Sequence, residues 1–462
     1  MRFLLACAAL ALAGCASVTA PDALRRDVEQ LAAGRSGVPS VNAGETLQQL
    51  LARQPLEADT AVRIALLNSP ALEGSFAALA ISDAERVAAA QLPNPHFTFA
   101  RLREGQTLEL ERMLSFNVLQ LLTLPWRAQY ANEALQLARL RAAQDVIRTA
   151  ADTRKAWIQA VAARQTALYL RDAREAADAG AELARRMARV GNFSRLQQAR
   201  EQSTLAEIGA QLARAEQAAV AEREKLTRLM GLDGADVRFT LPDRLPELPG
   251  QLADAGDIEA QALQQRLDVR TARDDARYVA GSLGFTRATG FIDALTVGGV
   301  HDTTFDDAAG SRQTKNGFEL ELPVPLFDWG QARTARAEAT YLQSVARVRE
   351  AGVRARSEAR EAWHGWRTAY DLARHYRDEI VPLRKFILDE TQLRYNGMLS
   401  SVWDLLGESR VHIVAVNGAI AAQRDFWLAD TDLRTALTGT SPGALAAMRA
   451  GGSEPAAQAQ GH

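Results

Sequence analysis

The chain has 462 residues, with 54 basic against 56 acidic side chains, a formal net charge of −2 and 47% hydrophobic residues. That length allows roughly three average domains or one extended architecture. Because the two signs of charge are interspersed without a cationic face, no nucleic acid is expected as a partner. Cys7 and Cys15 are the only cysteines, so no disulfide framework holds the chain together.

The opening stretch MRFLLACAALALAGCASVTA places Arg2 before an apolar run from Phe3 to Ala13. The run is too short to cross about 30 Å of hydrocarbon and fits a secretory signal peptide. It ends in LAGC, Leu12 to Cys15, which resembles a bacterial lipobox. The resemblance implies removal of residues 1–14 and a covalent lipid, palmitate included, on Cys15. With Ala16 rather than Asp next, it also implies the outer membrane. An ordinary signal peptide with a chance cysteine is the alternative. No other cofactor is expected. No later apolar run approaches about 18 residues, so any bilayer crossing has to use strands.

Residues 15–58, with Gly34, Gly37, Pro39, Gly44 and Pro55, read as a lipid-anchored, extended N-terminal arm. A first repeat, 59–231, begins with a helix from Asp59 to Leu92, stopped by LPNP at 92–95 because proline lacks an N–H. The alternating runs HFTFARL (96–102) and TLELERMLSFNVL (107–119) predict a hairpin closed by EGQ. Helical patterns follow from Pro125 to Val190 and from Ser194 to Met230. They exceed the roughly 8–20 residues of ordinary globular helices and point to a coiled coil or bundle.

Prolines 242, 246 and 249 mark residues 232–256 as a linker. A second repeat, 257–438, has a helix from Asp257 to Arg287, a strand DALTVGGV (293–300), a polar loop (301–315) and a strand GFELEL (317–322). Its long helix runs from Trp329 to Tyr395 and its last from Ser401 to Leu437, and residues 439–462 read as a disordered tail. The pairs Trp157/Trp363, Gly191/Gly397 and Ser194/Ser400 share one offset, 206 positions, which argues for internal duplication.

A lone hairpin is marginal in water, and closed barrels need about eight strands, so four strands per chain have to be pooled between copies. Three chains supply twelve. Alternation turns Leu108, Leu110, Phe318, Leu320 and Leu322 toward lipid, and Glu109, Glu111, Glu319 and Glu321 toward a wet lumen. A half-buried soluble sheet with an acidic solvated face is the other reading. Trp363, Trp366, Tyr370, Ala373, Tyr376, Ile380, Leu383 and Ile387 form a helical seam. In RVGNFSRLQ (189–197), Gly191 suits a left-handed C-cap and Ser194 with Gln197 a capping box. YNGMLSSVWD (395–404) repeats the pattern with Gly397, Ser401 and Asp404.

From these residues the chain resembles, over 59–438, the TolC-like outer-membrane efflux protein family. LPVPLFDWGQARTARAEA (322–339) is similar to the family's strand-to-helix entry, and VGN (190–192) and NGM (396–398) resemble its tip motifs. NVLQLLTLPWRAQYANEA (117–134) lacks the entry glycine. The resemblance implies a mainly α fold with a small β part and internal duplication. Long helical hairpins would form a periplasmic α-barrel, and each chain would give four strands to a trimeric, twelve-stranded transmembrane β-barrel. It implies a homotrimer partnered by outer-membrane lipid, a periplasmic adaptor and an inner-membrane pump. The trimer would be a passive duct exporting drugs or metal cations, and not an enzyme.

Val190, Gly191, Asn192, Asn396, Gly397 and Met398 would face the adaptor, and Trp403 and Asp404 would stand at a gate. Two readings stay open beside it: the exit duct of a type I secretion system, and a periplasmic coiled-coil scaffold without a pore. No P-loop, nucleophile elbow or CxxC occurs, and the six histidines lack metal-ligand spacing.

Overall fold

The structure is a computed structural model that describes residues 17–40, 44–252, 256–289, 295–306 and 309–443. Cys15, the signal segment and most of the tail lie outside the described residues. In chain order the elements are α1 (Pro21–Ala32), α2 (Leu47–Leu51), α3 (Ala58–Asn68), α4 (Pro70–Ala90), β1 (His96–Glu104), β2 (Thr107–Asn117), α5 (Val118–Arg189) and α6 (Arg195–Met230). They continue with α7 (Ile258–Gln265), α8 (Leu267–Thr289), β3 (Thr296–Asp306), β4 (Ser311–Glu321), α9 (Gln331–His375), α10 (Val381–Asn396) and α11 (Val402–Thr438).

The elements form two compact units. The first comprises the described parts of Met1–Val28, Ser75–Ala142 and Val269–Ala351. It holds an antiparallel sheet in the order β1-β2-β3-β4. Gly105 closes the first hairpin with a left-handed φ of 58°. In the same unit, Tyr130 on α5 donates to the Gly281 carbonyl at 2.8 Å, and a Cβ at Gly281 would come within 3.0 Å of the tyrosine ring. The chain before α1 is pinned to α4: Thr19 donates its N–H to Asp83 at 2.6 Å, and Arg86 pairs with the same carboxylate at 2.8 Å. Burial pushes the Asp83 carboxyl up, but Arg86 and Thr19 together hold it below the usual range.

The second unit comprises the described parts of Glu29–Gly74, Ala143–Asp268 and Gly352–His462. One core gathers Leu50, Leu56, Ile64, Trp157, Leu226 and Met230. The Trp157 indole donates to the Leu56 carbonyl at 2.8 Å. A second core joins α9 to α11 through Trp366, Tyr370, Ala373 and Phe426. Each fully buried leucine or phenylalanine contributes about 1.5–3 kcal/mol. α6 ends on Gly231, φ 66°, where a Cβ would lie 2.3 Å from the Asn68 carbonyl oxygen, so only glycine fits.

Five expectations about element boundaries change. Residues 15–58 are not wholly an extended arm: α1 and α2 lie within them, and Leu24, Val28 and Ala32 are buried at helical spacing behind Pro21, a favoured first helical residue. The helix expected over 59–92 breaks at Ser69, because the residue before Pro70 is driven to extended ψ, 120°. The break within 257–287 falls at Arg266, whose buried guanidinium pairs with Asp268 at 2.6 Å and Glu358 at 2.8 Å. The helix expected from Pro125 starts at Val118, because the Asn117 side chain accepts the Gln120 N–H at 3.0 Å and caps it there.

The fifth concerns the polar stretch 301–315, which is strand to Asp306 and again from Ser311. Apart from Phe305 both of its faces are polar, so alternation in hydropathy does not mark it, while pairing with β2 and between β3 and β4 holds it extended.

Candidate functional site

Two places carry the functional expectations: the sheet of the first unit and the helix tips of the second. In an antiparallel pair, residues directly opposite share a face. Phe97 stands opposite Leu114, Val297 opposite Phe116 and Leu320, and Gly299 opposite Leu114 and Phe318. Leu108, Leu110, Phe318 and Leu320 therefore share one face, which Leu322 continues just past β4. Glu109, Glu111, Glu319 and Glu321 lie on the other. The apolar face is uncovered: Phe318 is 85% exposed. Where β4 gives way to α9, the exposed apolar surface runs on through Val324, Leu326, Phe327 and Trp329. Among the described residues, β1 and β4 are edge strands, each paired on one side only. No single described helix is long and apolar enough to cross a membrane.

At the first tip, Gly191 takes φ 82°. The Gly191 and Asn192 N–H groups close the helix on the carbonyls of Ala188 at 3.2 Å and Met187 at 2.9 Å. Ser194 and Gln197 form the expected reciprocal cap, at 3.2 and 2.7 Å. The second tip corrects the sequence reading. Gly397 has an ordinary φ of −83°, and the left-handed residue is Met398, φ 58°. Met398 and Leu399 donate to the carbonyls of Tyr395 and Arg394 at 3.0 and 2.8 Å. The tips thus match one residue later than the offset drawn from the glycines: Gly191 corresponds to Met398 and Ser194 to Ser401. All six candidate adaptor-facing residues, Val190, Gly191, Asn192, Asn396, Gly397 and Met398, are exposed.

The two gate candidates have partners inside the chain. Trp403 is half-buried and stacks on Phe193, centroids 4.3 Å apart, in a cluster with Ala184 and Val402. Asp404 caps α11, accepting from the Ser401 N–H at 3.0 Å and from the hydroxyls of Ser401 at 2.8 Å and Ser400 at 3.0 Å. These bonds, the Ser401 hydroxyl foremost, hold its carboxyl below the usual range.

No protein-family model and no curated protein sequence matches the chain. Solved structures do. A membrane protein from Pseudomonas aeruginosa matches at TM-score 0.71 and 18% identity, over 87% of this chain and 98% of that one. The Campylobacter jejuni CmeC outer membrane channel matches at 0.69 and 16%, over 90% and 92%. The outer membrane protein VceC of Vibrio cholerae matches at 0.66 and 16%, over 86% and 99%. The chain has the TolC-like outer-membrane factor fold.

Within that fold, sequence reasoning missed three features of the tips and their approach. Phe193 sits between the glycine and the cap and is buried; a lone aromatic in an otherwise polar turn was its signal. Glu201 on α6 is buried and lies 3.5 Å from Arg410 on α11, which also donates to Thr204 at 3.2 Å. No local pattern marks a pairing this distant in sequence. The third is a π-turn, Tyr376–Ile380, between α9 and α10 and just ahead of Pro382. Its extra residue shifts the helical phase, so Leu383, expected in the seam, points outward, while Trp366, Tyr370 and Ala373 stay buried. Among the described residues no group of three or more His, Cys, Asp or Glu side chains is placed to hold a metal ion.

Proposed function

We propose that this chain is one subunit of a trimeric outer-membrane channel, a passive duct for small solutes. The observation that carries the reading is the sheet: one face uncovered and largely apolar, the opposite face carrying the carboxylates, and both edges unpaired among the described residues. Such a sheet satisfies its backbone in lipid only by closing into a ring with copies of itself, and four strands are too few to do so alone. Three copies would place Phe318 and Leu320 toward lipid and Glu109, Glu111, Glu319 and Glu321 around water. The helices would extend the passage through the periplasm.

The exposed tips at 190–192 and 396–398 are the surface offered to a periplasmic adaptor, which would join the duct to an inner-membrane pump supplying the energy. Drugs or metal cations are the cargo this reading favours. A lipid on Cys15 would add a second hold on the membrane. The protein itself would perform no chemistry.

The test is reconstitution in a planar bilayer with the mass of the assembly measured in parallel. A trimer with stable single-channel conductance is expected. A folded trimer that never conducts would favour a periplasmic scaffold instead.

A further inference from the structure

The two faces of the sheet also differ in where their carboxylates lie. The face that carries Phe97, Leu114, Phe318 and Leu320 also carries Arg101 and Arg103 opposite Leu110 and Leu108, Arg112 opposite Phe99, and Arg312 opposite Phe305. It holds no carboxylate, because every acidic residue of the four strands falls on the other face. Position is graded as well. Arg101, Arg103 and Arg312 stand toward the hairpin ends among Leu108, Leu110 and Phe305, Arg112 stands at the middle of β2, and the rows nearest the helices, which carry Phe97, Leu114, Phe318, Phe116, Val297 and Leu320, hold no arginine.

On the helices, arginine after arginine meets a carboxylate, as in Arg287 with Glu338 at 2.6 Å. On this face Arg101, Arg112 and Arg312 form no ion pair among the described residues. Arg112 donates one nitrogen to the Thr303 hydroxyl at 2.7 Å, while its enclosed Nε has no acceptor. Arg312 lies over the Phe305 ring at 5.5 Å. A lipid-facing position tolerates a guanidinium only where the side chain reaches the headgroup layer. The planar fork of arginine matches phosphate oxygens two at a time. A half of the face that carries arginines among its apolar residues, above a half that carries none, follows the layering of a lipid, acyl chain below and anionic headgroup above. An acidic protein surface offers no such layering.

We propose that Arg101, Arg112 and Arg312 form an outward belt that binds the phosphate groups of anionic lipid around the hairpin half of the barrel. This rests on the reading of the uncovered face as lipid-facing.

The experiment offers bisphosphorylated lipid A, its dephosphorylated form or inorganic phosphate to delipidated full-length protein, and counts bound molecules by native mass spectrometry. Wild type is expected to prefer the phosphorylated lipid on the order of a hundredfold. R101Q/R112Q/R312Q loses the preference, and R101K/R112K/R312K, which keeps the charge but not the fork, retains only part of it. Equal retention by wild type and the glutamine variant, or no discrimination by wild type, overturns the belt. So does retention of inorganic phosphate as strong as that of the lipid. Bilayer conductance separates the two proposals: a conducting wild type without lipid preference sinks the belt alone, and a silent one sinks the duct as well.

Discussion

Met398 is a side chain in a backbone conformation that favours glycine, while its neighbour Gly397 does not use that freedom. Left-handed φ costs a residue with a Cβ about 1 kcal/mol. Met398→Gly is therefore expected to strengthen the second tip by up to about 1 kcal/mol, and Gly191→Ala to weaken the first by a similar amount. Gly397→Ala should stay within about 0.5 kcal/mol, since a Cβ there meets nothing closer than 3.6 Å. Hydrogen exchange at the tip amides reads all three; a large loss for Gly397→Ala would refute the assignment.

Asp404 adds a pH dependence. Its folded carboxyl is held down, so its cap contributes fully above the unfolded value of about 3.9 and fades as pH falls through the folded one. Protection at the start of α11 should hold from about pH 7 to 5 and decline below about 4. Asp404→Asn should abolish that acid-side decline.

At the scale of elements, the tips are held by packing as well as by caps. Phe193→Ala should cost about 3 kcal/mol by emptying the cluster under Trp403, read as a lower denaturation midpoint. The π-turn makes a sharper contrast. Leu383→Ala should cost under about 0.5 kcal/mol, whereas Trp366→Ala should cost about 3–5 kcal/mol; equal losses would contradict the phase shift.

What was legible in the sequence follows from these cases. Strict alternation in β2 and β4 showed which residues share a face, and Ser-x-x-Gln and Ser-x-x-Asp marked both caps. The strand past Val300 was hidden because its faces do not differ in polarity. The π-turn was hidden because a period of 3.6 residues continues smoothly across Tyr376 to Leu383 in the sequence alone. Met398 was hidden because a glycine stood next to it. Contacts such as Phe193 with Trp403 join residues far apart in the chain, which local patterns do not encode.

At the scale of the molecule, the acidic sheet face should govern which ions pass if it lines a lumen. Changing Glu109, Glu111, Glu319 and Glu321 to Gln is expected to lower cation over anion permeability, seen as a reversal potential moving toward the anion side. An unmoved potential would separate the acidic face from the conducting path. The bare margins of β1 and β4 have a further consequence, for biogenesis. On the proposed reading, a newly exported chain would carry two unpaired strand edges and an apolar panel before it met its siblings, the combination that seeds fibrils. Transit across an aqueous compartment would then demand an escort that masks those edges, and assembly would have to outpace collision with strangers. Overproduction beyond the escort's capacity should yield insoluble, strand-rich deposits rather than a pool of soluble single chains.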